Sequence, residues 1–183
     1  MSNPLVYQLP HLRRIVTGHD EYGTAVVESD RRLVAEEMES VRGARSAGIW
    51  VTTDSIPTND NNNPEDGATR KVDDAANYGL VHPDGTNLRS TDLAPGAITP
   101  MHRTSSLDYN ILVHGELILI MEDGTEKHLK NAGDTVVQKG TLHAWRNPSK
   151  GWARWVTVLI AAEPAIIRGE ALFPAFLPLA GKK

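Results

Sequence analysis

The sequence contains no cysteine, which removes disulfides, thiolate nucleophiles, iron-sulfur clusters and cysteine-ligated zinc from consideration. Any metal must therefore sit on His, Asp, Glu or water. No cluster of Lys and Arg is interleaved with aromatics, and the formal net charge is -4. With no broad basic surface, neither nucleic acid nor an anionic membrane is expected as a partner. No window approaches the length of an apolar membrane span, and the opening "MSNPLVYQLPHLRR" lacks the basic flank and long apolar run of a secretory leader. A cytoplasmic location is the expectation. The end of the chain, "EPAIIRGEALFPAFLPLAGKK", is apolar but interrupted by three prolines, so it reads as a tail that packs across the domain or a partner subunit, not as an anchor. Helical periodicity is nearly missing as well, confined to a turn or two in "RRLVAEEMESV". A Gly-rich phosphate loop is also lacking.

What is present is ordinary globular material: 183 residues, 40% hydrophobic and 23% charged, enough for one domain with a real core. Short strand-like runs separated by Gly, Pro and Asp punctuation predict an all-β sandwich or barrel and not a βαβ sheet. An early hairpin is expected in "RRIVTGHDEYGTAVVES", turning at Gly18 to Gly23. Another strand follows in "AGIWVTTDS", with Trp50, Thr52 and Asp54 on one face. The polar stretch "IPTNDNNNPEDGATRKVDDAANYG" has almost nothing to bury and is assigned no fixed structure, a mobile loop or lid. The expected division is N-terminal strands and loop over 1–84 as part of the same domain, a barrel core over 85–162 and a packing tail over 163–183.

From Gly96 the spacing becomes informative. Five residues separate Gly96 from His102, one separates His102 from Thr104, three lead to Asp108 and six more to Gly115. A second block holds Gly133, Gly140, His143 and Asn147. Here the chain resembles the cupin superfamily, whose first motif runs Gly, five residues, His-x-His, three or four residues, Glu, six residues, Gly. Its second motif places a His shortly after a Pro-x-Gly turn and an Asn four residues on. His102 matches the first histidine and His143 the third, while Thr104 falls where the second histidine should be and Asp108 where the glutamate should be. Gln138 occupies the usual proline position, and Gly133 to His143 is one residue shorter than the pattern. "PMHRTSSLDY" with "VVQKGTLHAWRNP" looks like small single-domain cupins of fungi and bacteria, some found with polyketide pathways and carrying an oxidoreductase label. The resemblance implies a double-stranded β-helix, or jelly-roll barrel, with the early hairpin as an N-terminal extension and a pocket inside one end.

Parity agrees with that picture. Residues 102, 104, 108, 110 and 112 alternate so that His102, Thr104, Asp108, Asn110 and Leu112 face one lumen on regular strands, where His143 meets them from a later strand. Two imidazoles and a carboxylate are the expected catalytic set and, as metal ligands, would hold Fe, Zn, Mn or Ni with open positions for water or substrate. The alternative is a metal-free pocket in which Asp108 hydrogen-bonds and orients a histidine base. Thr104, Asn110, Leu112, Trp50 and Trp145 are the expected substrate contacts, with Trp155 a further wall; core packing is the competing role for the aromatics. His114 is expected to cap a turn, Asn147 to hold one, and Arg103 to lie on the outer face.

Three functions remain open on these residues. One is metal-assisted lyase or isomerase chemistry, decarboxylation or dehydration, on a small polyketide-like substrate. The second is an Fe(II)-dependent oxygenase, and the third a non-enzymatic small-molecule-binding barrel. The residues before Arg13 and the apolar tail offer surface for a homodimer by sheet extension and apolar packing. Light scattering at micromolar concentration should therefore give twice the mass of one chain; a single-chain mass would refute the dimer.

Overall fold

The computed structural model describes residues 6–177. Its strands in chain order are β1 Leu12–His19, β2 Ala25–Leu33, β3 Glu36–Glu37, β4 Ala44–Thr52 and β5 Thr86–Leu93. Next come β6 Met101–Arg103, β7 Ser106–His114, β8 Leu117–Met121, β9 Glu126–Leu129 and β10 Thr135–Lys139. β11 His143–Arg146, β12 Ala153–Ala161, β13 Ala165–Ile167, β14 Glu170–Leu172 and β15 Ala175–Leu177 complete the set. The all-β expectation is met. Two antiparallel sheets form the barrel, one in the order β10-β7-β12-β5-β4-β3 and the other β15-β6-β11-β8-β9. β1 and β2 make the separate N-terminal hairpin.

Alternation builds the core. Along β7, Ser106, Asp108, Asn110 and Leu112 are buried while Tyr109 and Val113 are exposed, the period of two that a strand with one solvated face requires. Leu93, Leu112, Leu117, Leu119, Trp145 and Trp155 fill the space between the sheets, with the two indoles 5.8 Å apart. Gly115 makes the turn out of β7 at φ +75°, and a Cβ there would lie 2.9 Å from the Trp152 carbonyl. Only glycine fits both demands. Asn147, fully buried, donates from Nδ2 to the carbonyls of Leu93 and Gly151 and accepts from Ser149, so it holds the turn after β11 as expected.

Both ends of the described chain fold back on their own barrel. Tyr7 donates to Asp92, which also receives Arg154 Nε at 2.6 Å and Nη2 at 2.7 Å. At the other end β15 pairs with β6, and Arg103 donates to the Phe173 carbonyl at 2.9 Å. Residues 163–177 of the tail thus pack on this domain through β15 and Phe173.

Residues 56–79 carry short turns at Asp60–Asn62, Gly67–Thr69 and Ala75–Asn77, where the sequence suggests no fixed structure. Arginines from within and before the stretch tie it down. Arg70 reaches Asp60 and the Val51 carbonyl, both at 2.7 Å, and Arg14 grips the Asp66 carboxylate. Between those two guanidinium groups lies the Trp50 ring, whose Nε1 donates to Asp60 at 2.6 Å.

The Asp92–Arg154 pair is the most deeply buried ion pair among the described residues, its side chains 0% and 5% exposed. Breaking one half of such a pair strands a charge in low dielectric, at a cost of about 3–5 kcal/mol. Arg154→Met should lower unfolding stability by that order in urea melts, and the double variant Arg154→Met with Asp92→Asn should recover part of the loss.

Candidate active site

His102 and His143 are register partners across the β6–β11 contact. Their ring centroids are 4.4 Å apart. Each ring holds the carbonyl two residues earlier: His102 Nδ1 lies 2.9 Å from Pro100 O and His143 Nδ1 2.9 Å from Thr141 O. A carbonyl only accepts, so both Nδ1 atoms carry the proton and both Nε2 atoms present lone pairs. Burial, reinforced by the neighbouring His102, pushes His143 down to about 3, and burial also lowers His102 against the pull of the Pro100 carbonyl. Both imidazoles are therefore neutral at physiological pH.

A cavity of about 110 Å³ opens beside them, lined on its other wall by Asp108, Asn110, Thr157 and Arg89. Asp108 is 4% exposed and its Oδ1 has no hydrogen-bond partner among the described residues. Burial pushes its carboxyl up to about 6, opposed by the Ser106 hydroxyl. Thr104 also lines the cavity, but its hydroxyl is engaged with Ser106 Oγ at 2.8 Å. Asn110 accepts from Thr157 at 2.8 Å and leaves its buried Nδ2 without a partner. Trp145 stands edge-on to His143 at 5.9 Å.

The metal-ligand set expected on His102, Asp108 and His143 is not assembled. Among the described residues no three His, Asp or Glu side chains group closely enough to hold an ion. The two imidazoles suit the task, with Nδ1 anchored and Nε2 free as metal-bound histidines require, yet the third ligand is lacking. The reason is topological. β6 belongs to one sheet and β7 to the other, so the chain crosses between walls at Thr104 and Ser105. Shared parity turns Asp108 toward the same cavity as His102 but from the opposite side, where it forms no hydrogen bond to either histidine among the described residues. Among the described residues Asp108 orients neither histidine; the Pro100 and Thr141 carbonyls hold both Nδ1 atoms.

Two expected substrate contacts also move. Trp50 is not a cavity residue, because a one-residue bulge between Gly48 and Trp50 reverses the parity of the rest of β4 and turns the indole toward residues 60–70. Leu112 faces inward but belongs to the core, and does not line the cavity. Thr104, Asn110, Trp145 and Trp155 do line it. Sequence reasoning missed Arg89, Tyr78 and Phe176. Phe176 comes from β15, paired with His102, and packs 5.3 Å from the Tyr78 ring. Tyr78 itself sits in the left-handed region at φ 59° after the Ala75–Asn77 turn, an uncommon backbone for an aromatic residue beside a cavity. His114 is exposed.

A barrel of two facing antiparallel sheets with its histidines turned into one end defines the cupin class of pocket proteins. No family model matches the chain. It is 35% identical to phomopsin biosynthesis cluster protein D of Diaporthe leptostromiformis over 167 residues, 89% of this chain and 87% of the relative. It is 31% identical to the cupin-domain-containing oxidoreductase srdB of Neurospora crassa over 181 residues, 93% of this chain and 86% of the relative. The chain belongs to the cupin-domain family that these relatives represent. Among solved structures, the polyketide cyclase RemF from Streptomyces resistomycificus aligns with a TM-score of 0.49 at 12% identity, over 81% of this chain and 82% of its own.

Asp108 binds its proton more readily folded than unfolded, where its ordinary value is 3.8. Stability from this group is therefore full in acid and lost as pH rises through about 6. Two pK units correspond to roughly 3 kcal/mol. Asp108→Asn should raise stability by that order in urea melts at pH 8 and leave it unchanged at pH 4; equal effects at both would show that Asp108 is not held protonated by burial.

Proposed function

We propose that the chain is a small-molecule enzyme of the lyase or isomerase kind, acting on a polyketide-like substrate by proton transfer. The observation that carries this reading is the pairing of neutral imidazoles, their Nε2 lone pairs free, with a carboxyl held near 6 on the facing wall of one cavity. Neutral imidazoles with free Nε2 lone pairs, facing a carboxyl whose pKa is raised toward neutrality, supply the acceptor and the donor that such chemistry needs. His102 or His143 Nε2 takes a proton from a carbon beside a carbonyl, and Asp108 gives one to the carbonyl oxygen, leaving a neutral enol. Loss of a β-hydroxyl as water, taking the proton held on the imidazole while the enol O–H returns its proton to Asp108, is dehydration, and reprotonation elsewhere is isomerisation; loss of carbon dioxide from a β-keto acid reaches the same enol. Thr104 and Asn110 contribute hydrogen-bonding groups, and Trp145, Trp155 and Phe176 give the apolar walls that suit a partly aromatic molecule.

A second reading, oxidoreductase, is favoured by the names of four relatives from fungal sources. The products separate the two. Lyase chemistry loses water or carbon dioxide, and oxidation removes two hydrogens or adds oxygen. Solvent deuterium should enter the carbon beside the carbonyl of 4-phenyl-2-butanone faster with the protein than without it, read by proton NMR. His143→Ala and Asp108→Asn should each slow the exchange by about 100-fold or more, the usual contribution of one general acid or base. No acceleration by the wild type, or unchanged rates in both variants, would overturn the proposal.

A further inference from the structure

Arg89 is a cation built into the cavity wall without a counter-ion among the described residues. It lies on β5 in register with Thr157 of β12, which is in turn in register with Asn110 of β7. The three side chains form one polar rung across the floor of the larger sheet, all lining the same cavity. Arg89 has one hydrogen-bond partner among the described residues, Ser46 Oγ, at 3.1 Å from Nε and 2.6 Å from Nη2. That hydroxyl spends its own proton on the Ser90 carbonyl at 2.8 Å, so it can only accept from the guanidinium. Of the five N–H donors an arginine carries, three are then unmatched.

Burial pushes the guanidinium down to about 10, with no carboxylate offsetting it. The acidic groups nearby are otherwise placed. Asp108 shares the cavity but forms no pair with Arg89, and in the adjoining cleft, which Arg89 also borders, Glu37 pairs with Arg45. Glu36 lines that cleft and is exposed. Arg89 is half-buried, and an unpaired guanidinium in that position is costly; one held on one edge by a serine and lining a cavity has N–H donors left that match the two oxygens of a carboxylate. The buried Nδ2 of Asn110 is a second donor without a partner, two strands along the same rung and about 10 Å away at the backbone. Single positive charge in a small, aromatic-walled space suits a monoanion, not a phosphate dianion.

We infer that Arg89 is the anchor for a substrate carboxylate, with Asn110 Nδ2 donating to a further oxygen of the same molecule, so that the ligand class is an apolar or aromatic carboxylic acid. This deepens the proton-transfer reading and rests on its cavity, but not on its chemistry. With the acid group fixed on the β5 side, the remainder of the molecule extends toward the imidazole pair on the opposite sheet.

Isothermal titration with trans-cinnamate and its neutral isostere cinnamamide tests this without any turnover. Wild-type protein should bind the acid at least about tenfold tighter than the amide, the scale of a charge-assisted fork. Arg89→Gln should erase that preference, Arg89→Lys should keep part of it, and His143→Ala should keep all of it. Equal affinity for acid and amide, binding of neither at millimolar concentration, or an unchanged preference in Arg89→Gln would each overturn the inference. If Arg89→Gln does not fold, as judged by its thermal melt, the wild-type ratio and Arg89→Lys decide. Loss of deuterium exchange in His143→Ala with the carboxylate preference intact would separate the anchor from the proton-transfer chemistry.

Discussion

His102 and His143 face each other across one rung of the β6–β11 pairing, and each donates Nδ1–H to a carbonyl two residues earlier, in the segment leading into its strand. That repeated local bond fixes the tautomer, the ring plane and the direction of the free lone pair at once. The carbonyls favour the protonated rings, but burial outweighs them and keeps the imidazoles neutral. The chemistry of the pocket follows from this constraint. Two ring nitrogens offer lone pairs into the cavity, and a molecule bound against this wall meets neutral imidazoles.

The opposite wall is arranged by the same physics with opposite sign. The desolvation that disfavours a charged imidazole also disfavours the Asp108 carboxylate, pushing its carboxyl up to about 6. The two walls therefore drive acid and base apart in character although both lie in one cavity. Arg89 resists that logic, since a guanidinium does not shed its proton in the physiological range even when buried, and its unmatched donors remain as the strongest polar feature of the floor.

The shell around the cavity keeps these walls in place. Asp92 and Arg154 clamp β5 to β12 and tie Tyr7 onto them, holding the sheet that carries Arg89 and Thr157. On the outer side Trp50, between Arg14 and Arg70, organises the stretch that ends at Asn77 and Tyr78. Asn77 Oδ1 then accepts the Ser105 amide at 2.8 Å, at the point where the chain passes from one sheet to the other. Tyr78 and Phe176, from segments nearly a hundred residues apart, complete the apolar rim.

Much of this was legible in the chain itself. Alternation along residues 106–114 is a property of extended backbone, so Asp108 and Asn110 share one face of β7, and the spacing of His102, Gly115, His143 and Asn147 carries the cupin resemblance that implies the barrel. Parity, however, is a direction and not a distance. It could not say that Asp108 and His102 stand on opposing walls, because that depends on which sheet each strand joins. Nor could it register the bulge after Gly48, where one extra residue turns Trp50 away from the lumen, or the choice of Leu112 for the core. Arg89, Tyr78 and Phe176 carry no local pattern that marks them as pocket residues. The sequence by itself determined the faces of the regular strands, the turns and the candidate imidazoles, since these are set by near neighbours along the chain. Only the tertiary structure decided which groups share a cavity, which remain unpaired and how burial shifts their protons, because those depend on contacts between strands far apart in sequence.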